Sequence, residues 1–285
     1  MIGLLRAEWL RLRKRRDIWL VALALVALSI PAYVSGVSNA LVNIGYIPEP
    51  DFPPDFIEQV QEQSRQELLR YAFPMSIGTV IQNGQILILA LVAYLAAAVT
   101  GAEFAYGTIR TSLVAHADRR GFLIVRLAAM AVTALLLIGL LVVLGALLPL
   151  GASLLGTSLP EVADPDIGGL VGFVAVTFLA TCFVIGLTTL WAILIRNAAI
   201  ALVLTIAYVL IEGAVVGLIV RAAGEDSVVR WLLPVADLQL LFGRVSGAQM
   251  GAEMPTLSAI SVGIAWVLAF WAASVRVLAR ADIRE

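Results

Sequence analysis

Apolar residues fall into six long stretches separated by short polar connectors, at about Ile18–Gly36, Val80–Thr100, Phe122–Leu148, Gly169–Ile195, Ala198–Val220 and Leu257–Ala279. A helix needs about 20 mainly apolar residues to cross roughly 30 Å of hydrocarbon, and each stretch meets that length. In lipid such a run must be helical, because every backbone N–H needs a partner within the segment. The pattern predicts an all-α integral membrane protein with six transmembrane helices. Two runs, Tyr71–Ala102 and Leu127–Pro160, contain no Asp, Glu, Lys or Arg. The clearest charge inside a predicted span is Glu212, about two-thirds of the way along the fifth.

Composition removes the alternative of a water-soluble globule. The 285 residues are 61% hydrophobic and 14% charged, where a soluble domain carries about 25% charged residues. Mean hydropathy is +0.98. Net charge, −1, says little; the distribution of bases says more. With six spans, Arg6, Arg11, Arg13, Lys14, Arg15, Arg16, Arg110, Arg119, Arg120, Arg126, Arg196, Arg276, Arg280 and Arg284 share one side. Only Arg65, Arg70, Arg221, Arg230 and Arg244 fall on the other. Bases concentrate on the cytoplasmic side of membrane proteins. The expectation is a multi-pass protein of a bacterial cytoplasmic membrane with both termini cytoplasmic. Cleavage of the first span as a leader is disfavoured, since its apolar run is long and its loss would leave five spans.

The segments outside the spans have patterns of their own. Residues 1–17 place Ile2, Leu5, Trp9 and Leu12 at spacings of three and four, the stripe of an amphipathic helix lying in the membrane interface. After Pro53-Pro54, Asp55 with Glu58 three residues on reads as a capping box opening a polar helix to about Tyr71. In the outer loop, residues 221–256, Val228–Phe242 is too short to cross and is broken at Pro234, which predicts re-entrant or surface helices. Gly168 with Gly172 and Gly213 with Gly217 offer small faces for helix packing. The single cysteine, Cys182, lies in an apolar run and reads as a small hydrophobe.

The connector between the second and third spans, residues 101–121, differs from the others. It holds Glu103, Gly107-Thr108-Ile109-Arg110, Leu113, Val114, the chain's only histidine (His116), Asp118, Arg119 and Arg120. Gly101, Gly107 and Gly121 permit sharp turns, and Thr108 can cap a short helix running to about Ala115. Ile109, Leu113 and Val114 would then present an apolar ridge suited to a groove on a partner.

Glu103-x-x-x-Gly107-Thr108-Ile109-Arg110, followed by Arg119-Arg120-x-Phe122 and a base four residues later, resembles the connector of type-2 ABC transporter permeases. The resemblance extends to the amphipathic N-terminus, the six spans and the proline-broken outer segment. Arg126 stands where that family's pattern leads one to expect lysine. The resemblance implies a single permease domain over residues 1–285, the membrane subunit of an ABC exporter. It implies a cytoplasmic coupling helix in the connector that docks on a separate ATPase. Glu103, Gly107, Thr108 and Arg110 would shape or contact that joint, with Ile109, Leu113 and Val114 on the docking ridge. Partners would be a dimer of ATPase subunits and a second permease, identical or paralogous, in contact with membrane lipid; no nucleic acid is expected.

This chain is not expected to be an enzyme. Its only lysine, Lys14, lies among arginines with none of the glycines of a phosphate-binding loop. It therefore has no nucleotide cofactor of its own, and ATP with Mg would be held by the partner. One histidine cannot make the His-Glu-x-x-His zinc motif, and no cluster has metal-ligand spacing. The alternative is a secondary transporter using Glu212 as an intramembrane charge. Glu212 reads either as a substrate-pathway or gating residue, or as a structural partner of Arg221 or Arg230.

Overall fold

The computed structural model describes residues 2–45, 54–107, 118–162, 167–223 and 256–280, with Pro234, Leu238 and Leu241. Its elements are α1 (Ile2–Arg13), α2 (Arg16–Gly45), α3 (Pro54–Tyr71), α4 (Met75–Ala105), α5 (Arg119–Leu154), α6 (Ile167–Ile195), α7 (Ala198–Ala223) and α8 (Thr256–Arg280). No strand occurs among the described residues. Six of these helices, α2 and α4 to α8, are long and apolar enough to cross a membrane.

The six coincide with the expected spans, and each runs past the apolar stretch that revealed it. α5 has 36 residues, about 54 Å at 1.5 Å per residue, well beyond the ~30 Å of hydrocarbon. Backbone hydrogen bonding favours continuing a helix into the interface, where polar side chains are tolerated. That is why an apolar count underestimates its length.

α4, α5 and α6 form the centre. α6 is apolar all round and has the most buried span, 61% of its most apolar window, against 17% for α7 and 22% for α8. α4 packs on α2, α3, α5, α6 and α7, while α8 packs on α5 and α6. α2, α7 and α8 thus keep apolar faces turned outward, as a lipid-facing rim requires.

Specific backbone groups fix the contacts. Pro149 inside α5 has no N–H for the carbonyl of Gly145, four residues earlier. Ser76 of α4 fills the gap, its hydroxyl donating to that carbonyl at 2.6 Å. The helices come close enough there that a Cβ on Gly145 would lie 2.5 Å from the Ile77 Cα. Between α6 and α8, Trp271 Nε1 donates to the Cys182 carbonyl at 3.1 Å. Between α6 and α7, Thr205 and Thr188 hydroxyls meet at 3.0 Å. α6 turns into α7 through two residues only: Arg196 takes a left-handed φ of 57° and Asn197 Oδ1 caps α7 by accepting from the Ile200 N–H at 3.2 Å. At the opposite end, Tyr33 of α2 donates to the Tyr71 carbonyl at 2.7 Å, and the Tyr71 ring fills the space beside Gly36.

Two sequence readings need correction. Gly101 and Gly121 are not turns but lie inside α4 and α5. Gly101 is where α7 approaches α4, since a Cβ there would meet the Ala198 Cα at 2.5 Å. Asp55 is not a cap: α3 starts at Pro54 and places Asp55 inside its first turn. Proline suits that first position because its missing N–H would have no helical partner, and the acid complements the helix dipole. The N-terminal helix is confirmed as α1, but its buried face is Glu8 with Leu12, while Leu5 is exposed and Trp9 half-buried. Leu12 of the apolar stripe therefore also serves the bundle face, while Leu5 stays outward. Of the broken outer segment, Pro234, Leu238 and Leu241 are helical and buried at a spacing of four and three; the rest of Val228–Phe242 lies outside the described residues.

Candidate functional site: a buried charge cluster at the basic end

The end of α4, the start of α5 and α1 meet in a cluster of four charged side chains. Glu103 is the third residue from the end of α4, a poor place for an acid because the helix dipole is negative there. Its carboxylate is answered by two guanidinium groups. Arg126, eighth in α5, donates from Nη1 to Oε2 at 2.5 Å and from Nη2 to Oε1 at 2.9 Å, a bidentate pair. Arg11 of α1 also donates to Oε1. Glu8, one turn before Arg11, lies 3.6 Å from Arg11 Nη1 and 3.6 Å from Arg126 Nη2.

Two acids and two bases make the cluster electrically neutral. Arg126 is 1% exposed and Glu103 3%. The Phe122 ring, one turn before Arg126, lies 4.4 Å from its guanidinium carbon, a cation–π contact that also walls off water. Single long-range charges at such depth would be costly; pairing and hydrogen bonding make burial tolerable. Not every atom is satisfied: Arg126 Nε and Glu8 Oε2 are buried without a hydrogen-bond partner among the described residues. Two of the four, Glu103 and Arg126, directly border the charge-free runs Tyr71–Ala102 and Leu127–Pro160. Glu8, Glu103 and Arg126 face protein, while the Arg11 side chain is 43% exposed.

The arrangement clasps the connector. Gly107, at φ +67°, ends α4; its N–H reaches the Phe104 carbonyl at 3.2 Å. Asp118 opens α5, its Oδ1 accepting from the Arg120 N–H at 3.0 Å. Glu103, four residues before Gly107, and Arg126, eight residues after Asp118, join the two helices. α1 is bolted onto both by Arg11 and Glu8, and Arg15 adds a contact from Nη2 to the Ala98 carbonyl of α4 at 3.4 Å.

Of the expected site residues, Glu103 and Gly107 are placed here. Thr108, Ile109, Arg110, Leu113 and Val114 lie outside the described residues, as does His116. The sequence reading missed Glu8 and the pairing of Arg126. A signal existed in that Glu8 is the sole acid among the bases of residues 1–16 and sits three residues before Arg11.

Glu212 is elsewhere. It is 5% exposed and shares with Ala201, Thr205 and Tyr208 the face of α7 turned toward α6. Tyr208, one turn earlier, is hydrogen-bonded to it. Arg221 is exposed and, nine residues on, lies about half a turn round the helix and roughly 14 Å along it. A pair between these two is excluded by that geometry; Arg230 lies outside the described residues.

Six helices long and apolar enough to cross a membrane mark this as a multi-pass membrane protein. Residues 36–284 match a family model described as "Protein of unknown function (DUF2705)", and the chain belongs to that family. A search of curated proteins finds no match.

Proposed function

We propose that this chain is the permease subunit of an ATP-driven exporter of the ABC class, working as a dimer with a separate ATPase. The basic end that carries α1, the connector and the C-terminus is then the cytoplasmic side. The observation that carries this reading is the Glu103–Arg126 pair. The two residues belong to the two halves of the motif that resembles the permease connector, and their pairing ties together the helices on either side of it. A push on Thr108–Val114 from a partner is thereby delivered to α1, α4 and α5 together rather than lost in loop bending. In this role Glu103 shapes the joint from within, and the docking contact is made by Ile109, Arg110, Leu113 and Val114. The driving ligand is ATP bound on the partner, which shifts the membrane domain only by binding its two states unequally. Outward opening would follow between two permease copies, whose contact faces are supplied by the rim helices. Hydrophobic or amphiphilic compounds able to enter from lipid are the proposed cargo.

The test is purification of the tagged protein from its native host in mild detergent, with mass spectrometry of what accompanies it. A stoichiometric partner carrying a phosphate-binding loop supports the reading. Isolation of the folded protein alone, under conditions that preserve other complexes, would sink it and favour a secondary transporter.

A further inference from the structure

The first turns of α5 and the last turns of α8 enclose a surface groove of 530 Å³ that the proposed coupling role does not use. Its rim holds Arg120 from α5 and Arg276 and Arg280 from α8; its walls are apolar, with Ile124 and Leu127 facing Leu268, Trp271 and Val275. The spacing explains the placement. Arg120, Ile124 and Leu127 follow at four and three residues on one face of α5, while Arg276 and Arg280 are one turn apart on α8. The two helices contribute opposite ends, so all three guanidinium groups gather at the basic end and the apolar walls run inward. From Arg280 to Leu268 is about 18 Å along α8, close to the roughly 15 Å of one leaflet's hydrocarbon.

The three arginines are exposed; among the described residues they form no ion pair and no acid lines the groove. The nearby Asp118 is engaged in capping α5. The one polar group on the walls, Trp271 Nε1, is already committed to the Cys182 carbonyl, so the tryptophan offers the groove its ring. A cationic mouth above an apolar slot one leaflet deep matches an amphiphile with an anionic head and an acyl tail. We propose that this groove binds one anionic phospholipid of the leaflet on the basic side, its phosphate held by Arg120, Arg276 and Arg280 and an acyl chain laid along Ile124, Leu268, Trp271 and Val275. Free phosphate would satisfy the mouth but leave the slot wet, and a zwitterionic lipid would fill the slot while bringing its own cation to the arginines.

The experiment is native mass spectrometry of the delipidated full-length protein in detergent, titrated with phosphatidylglycerol, with phosphatidylcholine and with inorganic phosphate. One phosphatidylglycerol per chain is expected to bind at least tenfold more tightly than phosphatidylcholine and to resist displacement by millimolar phosphate. Arg276→Gln/Arg280→Gln should lose that preference. Arg276→Lys/Arg280→Lys should keep most of it, and Arg13→Gln/Lys14→Gln, which removes the same charge from the end of α1 and the residue after it, should keep all of it. Equal binding of the two lipids, displacement by phosphate alone, or an equal loss in the α1 variant would each overturn the assignment.

Discussion

Replacing Glu103 by Gln tests how strongly the charge cluster holds the basic end together. The substitution keeps the side chain's shape but removes the bidentate partner of Arg126, 1% exposed, leaving it to share Glu8 with Arg11, whose side chain is 43% exposed. Removing one partner of a buried ion pair costs about 3–5 kcal/mol, two to nearly four powers of ten in the folding equilibrium at ~1.4 kcal/mol per decade. Arg126→Met should cost a similar amount, because it strands Glu103 and Glu8 with Arg11 alone and removes the contact with Phe122. The double variant Glu103→Met/Arg126→Met leaves Glu8 and Arg11 as a neutral pair and should recover most of the loss, so that the sum of the single losses exceeds the double loss by at least about 4 kcal/mol. Glu62–Arg65 on α3, at 4.0 Å with both side chains more than half exposed, provides the control and should couple by less than about 1 kcal/mol. The assay is unfolding by SDS in mixed micelles, followed by tryptophan fluorescence at two salt concentrations. A Glu103–Arg126 coupling within about 0.5 kcal/mol of the α3 control, or one as readily screened by salt, would refute the reasoning.

Ser76→Ala strips the Gly145 carbonyl of its donor and should destabilise by about 1–3 kcal/mol; adding Pro149→Ala restores a helical N–H and should return the protein toward wild-type unfolding in the same titration. Gly101→Ala puts a methyl group against the Ala198 backbone and should cost about 1–3 kcal/mol, whereas Gly213→Ala, with nothing within 4 Å of its Cβ, should be neutral or slightly stabilising by thermal melting in detergent. On the proposed export role, Glu212→Gln should change efflux of cationic compounds more than neutral ones from cells expressing this chain, and equal effects would assign Glu212 a purely structural role.

The spans were legible because lipid punishes charge along a helix, and the charge-free runs Tyr71–Ala102 and Leu127–Pro160 therefore mark α4 and α5 unmistakably. Their ends were not legible, since the interface accepts polar residues that still continue the helix. Glycine misled for a related reason. Lack of a Cβ serves a turn at Gly107 and a close approach of helices at Gly101, and only the neighbour, Ala198, nearly a hundred residues away, distinguishes them. The ends of the connector motif were visible as Glu103 and Arg126, but their pairing depends on α4 and α5 lying side by side. Glu8 was hidden by company: a lone acid among bases reads as solvated until α1 is seen lying on α5.

The charge cluster has a consequence for how the protein is made. All four of its residues lie within the first 126 positions, and Glu103 and Arg126 belong to one helical hairpin. A ribosome delivers the chain from its N-terminus, so the partners of every one of these charges are present before α6, α7 or α8 has been synthesised. Neither Glu103 nor Arg126 has to wait unpaired at the membrane for a later segment. The hairpin can leave the insertion machinery already neutralised, with α1 at hand to close over it, and the rest of the bundle then assembles on a base that is already charged-balanced and shut.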